Sequence, residues 1–371
     1  MSSIPRREKN LISRRIINLP NIKESPLYES LSNKKVRCEL CPRRCLIPDK
    51  KFGMCKTHVN IDGTLYTVTY GDISSISCNP IEKKPFFHFW PGSKALTIGS
   101  WSCNLLCPWC QNYEISKVPP NPTRANYLSP VDFIKLTLNQ NCEGVSFSFN
   151  EPIVSLFEYS LDVMPLAKRK GLYTTYVSNG FATEEAIRML AKNGLDAINI
   201  DIKGCGKKIE RYIGAKVEHS WNAAIEAKKS GIHVEITTLI IPGVNDDDTC
   251  LRSIATKIYN DLGSSTPWHV TRYFPSYKSR TFGLDKHTPV DLLEFARNLG
   301  KDVGLKYVYI GNVPGHKYEN TYCPVCNSLL IRRYIFSITQ YNLLKDAICP
   351  SCGYKVDILG SPILHDKKEE I

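Results

Sequence analysis

Eleven of the fifteen cysteines fall into three groups: Cys38, Cys41, Cys45 and Cys55; Cys103, Cys107 and Cys110; and Cys323, Cys326, Cys349 and Cys352. The middle group has the composition of a reactive centre. Four thiolates close a tetrahedral zinc site, whereas a cubane iron–sulfur cluster on three cysteines leaves one iron open to another molecule. A zinc ion completed by a nearby histidine is the plainer alternative for the same three thiols. The last group is two Cys-x-x-Cys pairs with 22 residues between them, slightly more than the about 15–20 of the two-knuckle zinc template. Its four thiolates close around one ion, so a structural zinc is expected, with a rubredoxin-like iron as competitor. The first group suits structural zinc and an iron–sulfur cluster equally. Cys78, Cys142, Cys205 and Cys250 stand apart and read as small buried hydrophobes.

The elements that must position the middle group are legible around it. Short β-rich runs recur at Leu96 to Gly99, Gly144 to Phe149, Tyr173 to Val177, Ala197 to Ile202, Val234 to Ile241 and His269 to Phe274, with helical stretches such as Glu184 to Lys192 and Trp221 to Lys229 between them. Gly194 and Gly231 stand where C-terminal caps belong. Repeated βα units predict a parallel sheet, either an open six-unit barrel or a doubly wound sheet, with the chemistry at the carboxyl ends of the strands. Cys103 follows the first of these strands.

Composition narrows the class. The chain has 371 residues, 42% of them hydrophobic, enough for a large core without disulfide staples. No apolar run approaches the about 18 residues of a membrane span, and no signal peptide is read at the start, so a cytoplasmic chain holding its thiols on metals is expected. The formal charge of +12 is concentrated: residues 1–60 carry 14 Lys and Arg against 5 Asp and Glu. Arg6, Arg7, Arg14 and Arg15 lack the interleaved aromatics of a nucleic-acid arm.

The spacing Cys103-x-x-x-Cys107-x-Trp109-Cys110 resembles the signature of radical S-adenosylmethionine (SAM) enzymes. That resemblance implies a partial (βα)6 barrel, a 4Fe–4S cluster on Cys103, Cys107 and Cys110, SAM chelated by the open iron, and an external one-electron reductant. Later strand ends are similar to the organic-radical-activating branch, which includes the pyruvate formate-lyase activases. Ser148-Phe149-Asn150-Glu151-Pro152 is similar to the segment that binds the SAM amino group, with Phe149 and Asn150 in place of a glycine pair. Val177-Ser178-Asn179-Gly180 resembles the segment near the ribose, Asp201-Ile202-Lys203 matches the D-x-K signature, and His269 matches a late histidine at the cofactor. Thr237 stands where an arginine for the SAM carboxylate is usual, which leaves Arg272 or His269 as its expected donor. The narrowest likeness is to the radical SAM component of the AmmeMemoRadiSam system. It rests on Asn79 to Pro85, His88, Pro91-Gly92-Ser93, Cys103 to Asn112, Pro267-Trp268-His269 and Tyr309 to Val313, and it implies two companion proteins.

The expected organisation is a basic, partly disordered lead-in (1–35), an N-terminal Cys-rich module and connection (36–92), a radical SAM core (93–315), a zinc-ribbon-like module (316–360) and a charged tail (361–371). Glu82, Lys83, Lys84 and His88 read equally as a solvated turn or as substrate-facing groups. The expected function is reductive SAM cleavage for hydrogen abstraction, from a companion protein's backbone or from a small molecule. A zinc-rich nucleic-acid-binding protein is the alternative from another class, though the basic residues of the C-terminal module, Arg332, Arg333, Lys345 and Lys355, are too few to decide for it.

Overall fold

The computed structural model describes residues 14–364; Arg6, Arg7 and residues 365–371 lie outside them. Six short strands build the N-terminal module: β1 (Lys23–Glu24), β2 (Tyr28–Ser30), β3 (Val36–Cys38), β4 (Leu46–Ile47), β5 (His58–Ile61) and β6 (Thr64–Thr67). They pair as two antiparallel sheets, β1-β6-β5 and β2-β3-β4. Ile16, Ile22 and Leu27 are buried, so this part of the basic lead-in packs onto the module.

The core follows as β7 (Ser75–Pro80), β8 (Lys94–Gly99), α1 (Tyr113–Ser116), α2 (Pro130–Asn139), β9 (Gly144–Phe147), α3 (Pro152–Ser155), α4 (Phe157–Arg169), β10 (Tyr173–Ser178), α5 (Glu184–Asn193), β11 (Ala197–Asp201), α6 (Gly206–Ile213), α7 (Glu218–Lys229), β12 (His233–Ile240), α8 (Asp248–Lys257), β13 (Trp268–Arg272), α9 (Val290–Val303) and β14 (Val308–Gly311). Strands β8 to β14 are parallel and lie in chain order, with β7 antiparallel on the β8 edge. Right-handed crossovers that always step the same way put their helices on one face of the sheet. A doubly wound sheet would reverse the strand order at a switch point. The singly wound, open topology is therefore the one of the two expected arrangements that is found.

The expectation of six strands is corrected to seven parallel ones. The seventh is β14, Val308–Gly311, on the edge of the sheet beside β13. Thr183 caps α5 by accepting from the Ala186 N–H, and Gly194 closes it in the left-handed region at φ 105°. The C-terminal module is one meander of β15 (Thr321–Tyr322), β16 (Leu329–Tyr334) and β17 (Ser337–Tyr341). Its core shares Phe87, Tyr307 and Tyr309 with the larger sheet. Two of the isolated cysteines are not simple hydrophobes: Cys205 and Cys250 form a disulfide between the start of α6 and the start of α8. Cys78 and Cys142 bring their Sγ atoms to 3.0 Å.

Candidate functional site

The carboxyl ends of the parallel strands surround a cleft of about 590 Å³, within the range of about 300–1,000 Å³ usual for small-molecule and cofactor sites. Cys103, Cys107, Trp109 and Cys110 line it from the loop after β8. Asn150, just beyond β9, holds that loop: its Oδ1 accepts from the Ser100 N–H at 3.1 Å, and its Nδ2 donates to the Ser102 carbonyl at 2.8 Å and to Ser155 Oγ at 3.0 Å. From β10, Asn179 Nδ2 donates to Asn104 Oδ1 at 2.9 Å and reaches Cys103 Sγ at 3.6 Å. Helix α6 braces the far side, where the Leu106 N–H donates to the Ile213 carbonyl and Trp109 meets Tyr212 edge-on.

Charge is buried around the thiols. Glu151 caps α3 and accepts from the Ile153 and Asn179 N–H groups and from Ser178 Oγ, at 2.8 to 3.0 Å. Burial raises its pKa to about 7 despite those donors. It thus ties the ends of two strands together while still lining the cleft. Burial also raises Cys103 to about 12, and buried thiolates need cations beside them. Lys203 supplies one. Burial alone would lower its pKa, but Asp201, 2.7 Å away, together with Cys107 and Cys110, raises it instead.

All but one of the expected site residues meet at this cleft: Asn150, Glu151, Ser178, Asn179, Asp201, Lys203 and His269 line it with the thiols. Arg272 does not. Its side chain turns out of the cleft, where Nε donates to the Thr288 carbonyl and the guanidinium covers the Phe274 ring. His269 is present but engaged, with Nε2 at 2.6 Å from Glu235. Burial alone would raise Glu235; His233 and His269 hold it well below the usual carboxylate range. Thr237, in the usual arginine position, donates to Asn199 Oδ1.

Other parts of the wall come from outside the strand ends. Glu82 and Lys84 are buried and line the cleft, and His88 is buried behind them, so these three are not a solvated turn; Lys83, also lining the cleft, is exposed. Ile335 and Phe336, at the tip of the β16–β17 hairpin, complete the wall from the other end of the chain. Arg333 is buried against Phe87, 3.8 Å from Glu82, so it does not add to the exposed basic residues of the C-terminal module.

The three cysteine groups differ in spacing. Among the described residues, Cys323, Cys326, Cys349 and Cys352 are the group whose metal-binding atoms all lie within 4.8 Å of one another. Its Cys323–Cys352 and Cys326–Cys349 sulfur distances are 3.5 and 3.6 Å, close to the about 3.8 Å that tetrahedral Zn–S bonds of 2.3 Å impose. The thiols of the radical-type loop stand farther apart than that grouping allows, which suits a body larger than a single ion.

The family model of the radical SAM superfamily matches residues 100–250. An uncharacterized protein of Methanocaldococcus jannaschii (MJ0808) is 40% identical over 339 residues, covering 91% of this chain and all of that one. The GTP 3′,8-cyclase of Campylobacter fetus is 22% identical over 61% of this chain and 73% of its own length. Among solved structures, a domain of a pyruvate-formate lyase-activating enzyme from Bacteroides vulgatus aligns with a TM-score of 0.39, 16% identity, and coverage of 46% of this chain and 99% of that one. A radical SAM methyltransferase from Sphaerobacter thermophilus aligns with a TM-score of 0.46, 12% identity, and coverage of 60% and 68%.

Proposed function

Since the chain belongs to the radical SAM superfamily, we propose that Cys103, Cys107 and Cys110 hold a 4Fe–4S cluster and that the chain cleaves SAM reductively to abstract a hydrogen atom from a substrate in the cleft. The observation that carries this reading is the set of three thiols, wider than a single-ion site, in a loop at the carboxyl ends of the parallel strands. When bound, the cluster and SAM supply a one-electron cleavage that yields a 5′-deoxyadenosyl radical. The protein's own residues do the positioning. Asn150 and Asn179 fix the loop, and Lys203, paired with Asp201, offsets thiolate charge. With Arg272 turned away and Thr237 bonded to Asn199, lysines are the cations left to meet the cofactor carboxylate or an anionic substrate group: Lys83, Lys84, Lys117 and Lys203 all line the cleft.

The finer assignment is to the AmmeMemoRadiSam radical component, an activase-like oxidoreductase working with companion proteins. Its support is that the segment from Asn79 to Pro85, on which the likeness rests, supplies Glu82, Lys83, Lys84 and Pro85 to the cleft wall. The Asp201–Lys203 pair at a strand end favours a companion protein's backbone as substrate. The wall formed by Ile335 and Phe336 narrows the cleft and favours a small molecule. A structural zinc in the C-terminal thiol group accords with its sulfur distances. No helix among the described residues is long and apolar enough to cross a membrane.

The test is anaerobic reconstitution with iron and sulfide, followed by SAM and a strong one-electron reductant. The wild type is expected to release 5′-deoxyadenosine and Cys103→Ala to release none; equal yields from both would refute the assignment. A glycyl-type paramagnetic signal on a companion protein would select the backbone substrate.

A further inference from the structure

The N-terminal cysteines occupy a second, separate centre. Cys38 ends β3, Cys41 and Cys45 lie in the turn to β4, and Cys55 precedes β5, yet all four line one enclosed cavity with Leu40, Ile47 and Val154. We propose that these four cysteines hold a second 4Fe–4S cluster, chemically distinct from the C-terminal single-ion site and independent of the assignment of the radical loop.

Spacing decides between the two metals the sequence leaves open. Four thiolates drawn to about 2.3 Å from one zinc stand about 3.8 Å apart and leave no space at their centre. The C-terminal thiols show that contraction in this same molecule. The N-terminal thiols do not: no three of them gather within 4.8 Å, and all four line one cavity instead of closing on a point. Four thiols standing back around one space, with His58 in the same wall but its ring nitrogens at Thr57 Oγ1 and Glu158 Oε1, fit a four-iron core and not a lone ion. The Arg43 guanidinium, in the cavity wall, opposes the negative charge of such a centre.

The site abuts the radical loop. Ser102 Oγ donates to the Cys55 carbonyl at 2.5 Å, and Arg43 donates to the Asn104 carbonyl at 2.7 and 3.0 Å. Asn104 lines the N-terminal cavity while its neighbour Cys103 lines the cleft. Cys38, Cys41, Cys45 and Cys55 would hold a cluster that could take one electron from an external low-potential donor and return to its oxidised state by passing it on across the wall shared with the catalytic loop.

Iron stoichiometry separates this centre from the catalytic one. After anaerobic reconstitution with ferrous iron and sulfide, wild type should hold about eight iron and eight sulfide per chain, and a Cys103→Ala/Cys107→Ala/Cys110→Ala variant about four of each. Adding Cys41→Ser and Cys45→Ser to that variant should remove the remainder. The proposal is overturned if wild type saturates at about four iron, if the triple variant keeps none and carries a second zinc instead, if it keeps about two iron and two sulfide, or if its iron survives the Cys41 and Cys45 changes. Failure of wild type to cleave SAM while the triple variant keeps its four iron would refute the catalytic assignment and leave this one standing.

Discussion

Lys84 places an ammonium against one neutral acceptor, Asn79 Oδ1 at 2.8 Å, and over the Phe149 ring at 4.7 Å. Burial, then the neighbouring Lys83, lowers its pKa to about 7. A lysine depressed below its unfolded value of about 10.4 costs stability in full at low pH. Between about pH 7 and that value the unfolded chain binds the extra proton, so the cost fades as pH rises. Lys84→Met should therefore raise the melting temperature at pH 6 and change it little at pH 10, as scanning calorimetry at the two pH values would show. An equal gain at both would mean that Lys84 is not the depressed group. The ring beneath it is also unusual. Phe149 adopts φ 68°, the left-handed region, at a cost of about 1–3 kcal/mol for a bulky residue. It stands where the resembling enzymes place a glycine pair. The sequence marked that departure but left Lys84 open between a solvated turn and a substrate-facing group; its burial follows from the flanking Ile81 and Phe86, which anchor the segment in a core with strand residues Tyr173 and Ala197.

At the scale of elements, the strand ends matter more than the strands. Asn150 is a one-residue clamp between the end of β9 and the cysteine loop, and Asn150→Ala would leave the Ser100 N–H and the Ser102 carbonyl without their partner. Each buried unsatisfied group costs about 1–3 kcal/mol. The expected outcome is a lower melting temperature together with several-fold faster loss of loop-bound iron to a chelator. A variant that melts early but releases iron at the wild-type rate would show that the clamp does not reach the cluster. Strands β8 to β13 were legible because β-rich runs there are bounded by turns. Strand β7 was not, since Ser75-Ile76-Ser77-Cys78-Asn79-Pro80 has neither a continuous apolar run nor a clear alternation. The cleft motifs were legible because each follows a strand at short range. The engagement of His269 by Glu235, and the outward turn of Arg272, depend on neighbours 34 and 16 residues away that no local pattern reports.

At the scale of the molecule, the two ends of the chain meet across the sheet and should melt as one body. His88 Nε2 lies 2.7 Å from Tyr309 Oη, which lies 2.9 Å from Thr321 Oγ1. Arg333 donates to that same Thr321 Oγ1 and to the Phe87 carbonyl, and it faces the buried Glu82. Thus the N-terminal connection, the last core strand and the C-terminal module share one polar network over a common apolar core. Removing one partner of a buried ion pair costs about 3–5 kcal/mol because the other is left charged without compensation. Glu82 softens that cost at low pH, since burial already raises its pKa to about 7 and losing Arg333 would raise it further. Arg333→Met should therefore lower the melting temperature more at pH 8 than at pH 6. It should also split the single calorimetric transition expected of the wild type into an early one for the C-terminal module and a later one for the core. A wild type that already melts in two separate steps would show that the module is an independent appendage. A loss equal at both pH values would show that Arg333 contributes packing, not compensation of Glu82.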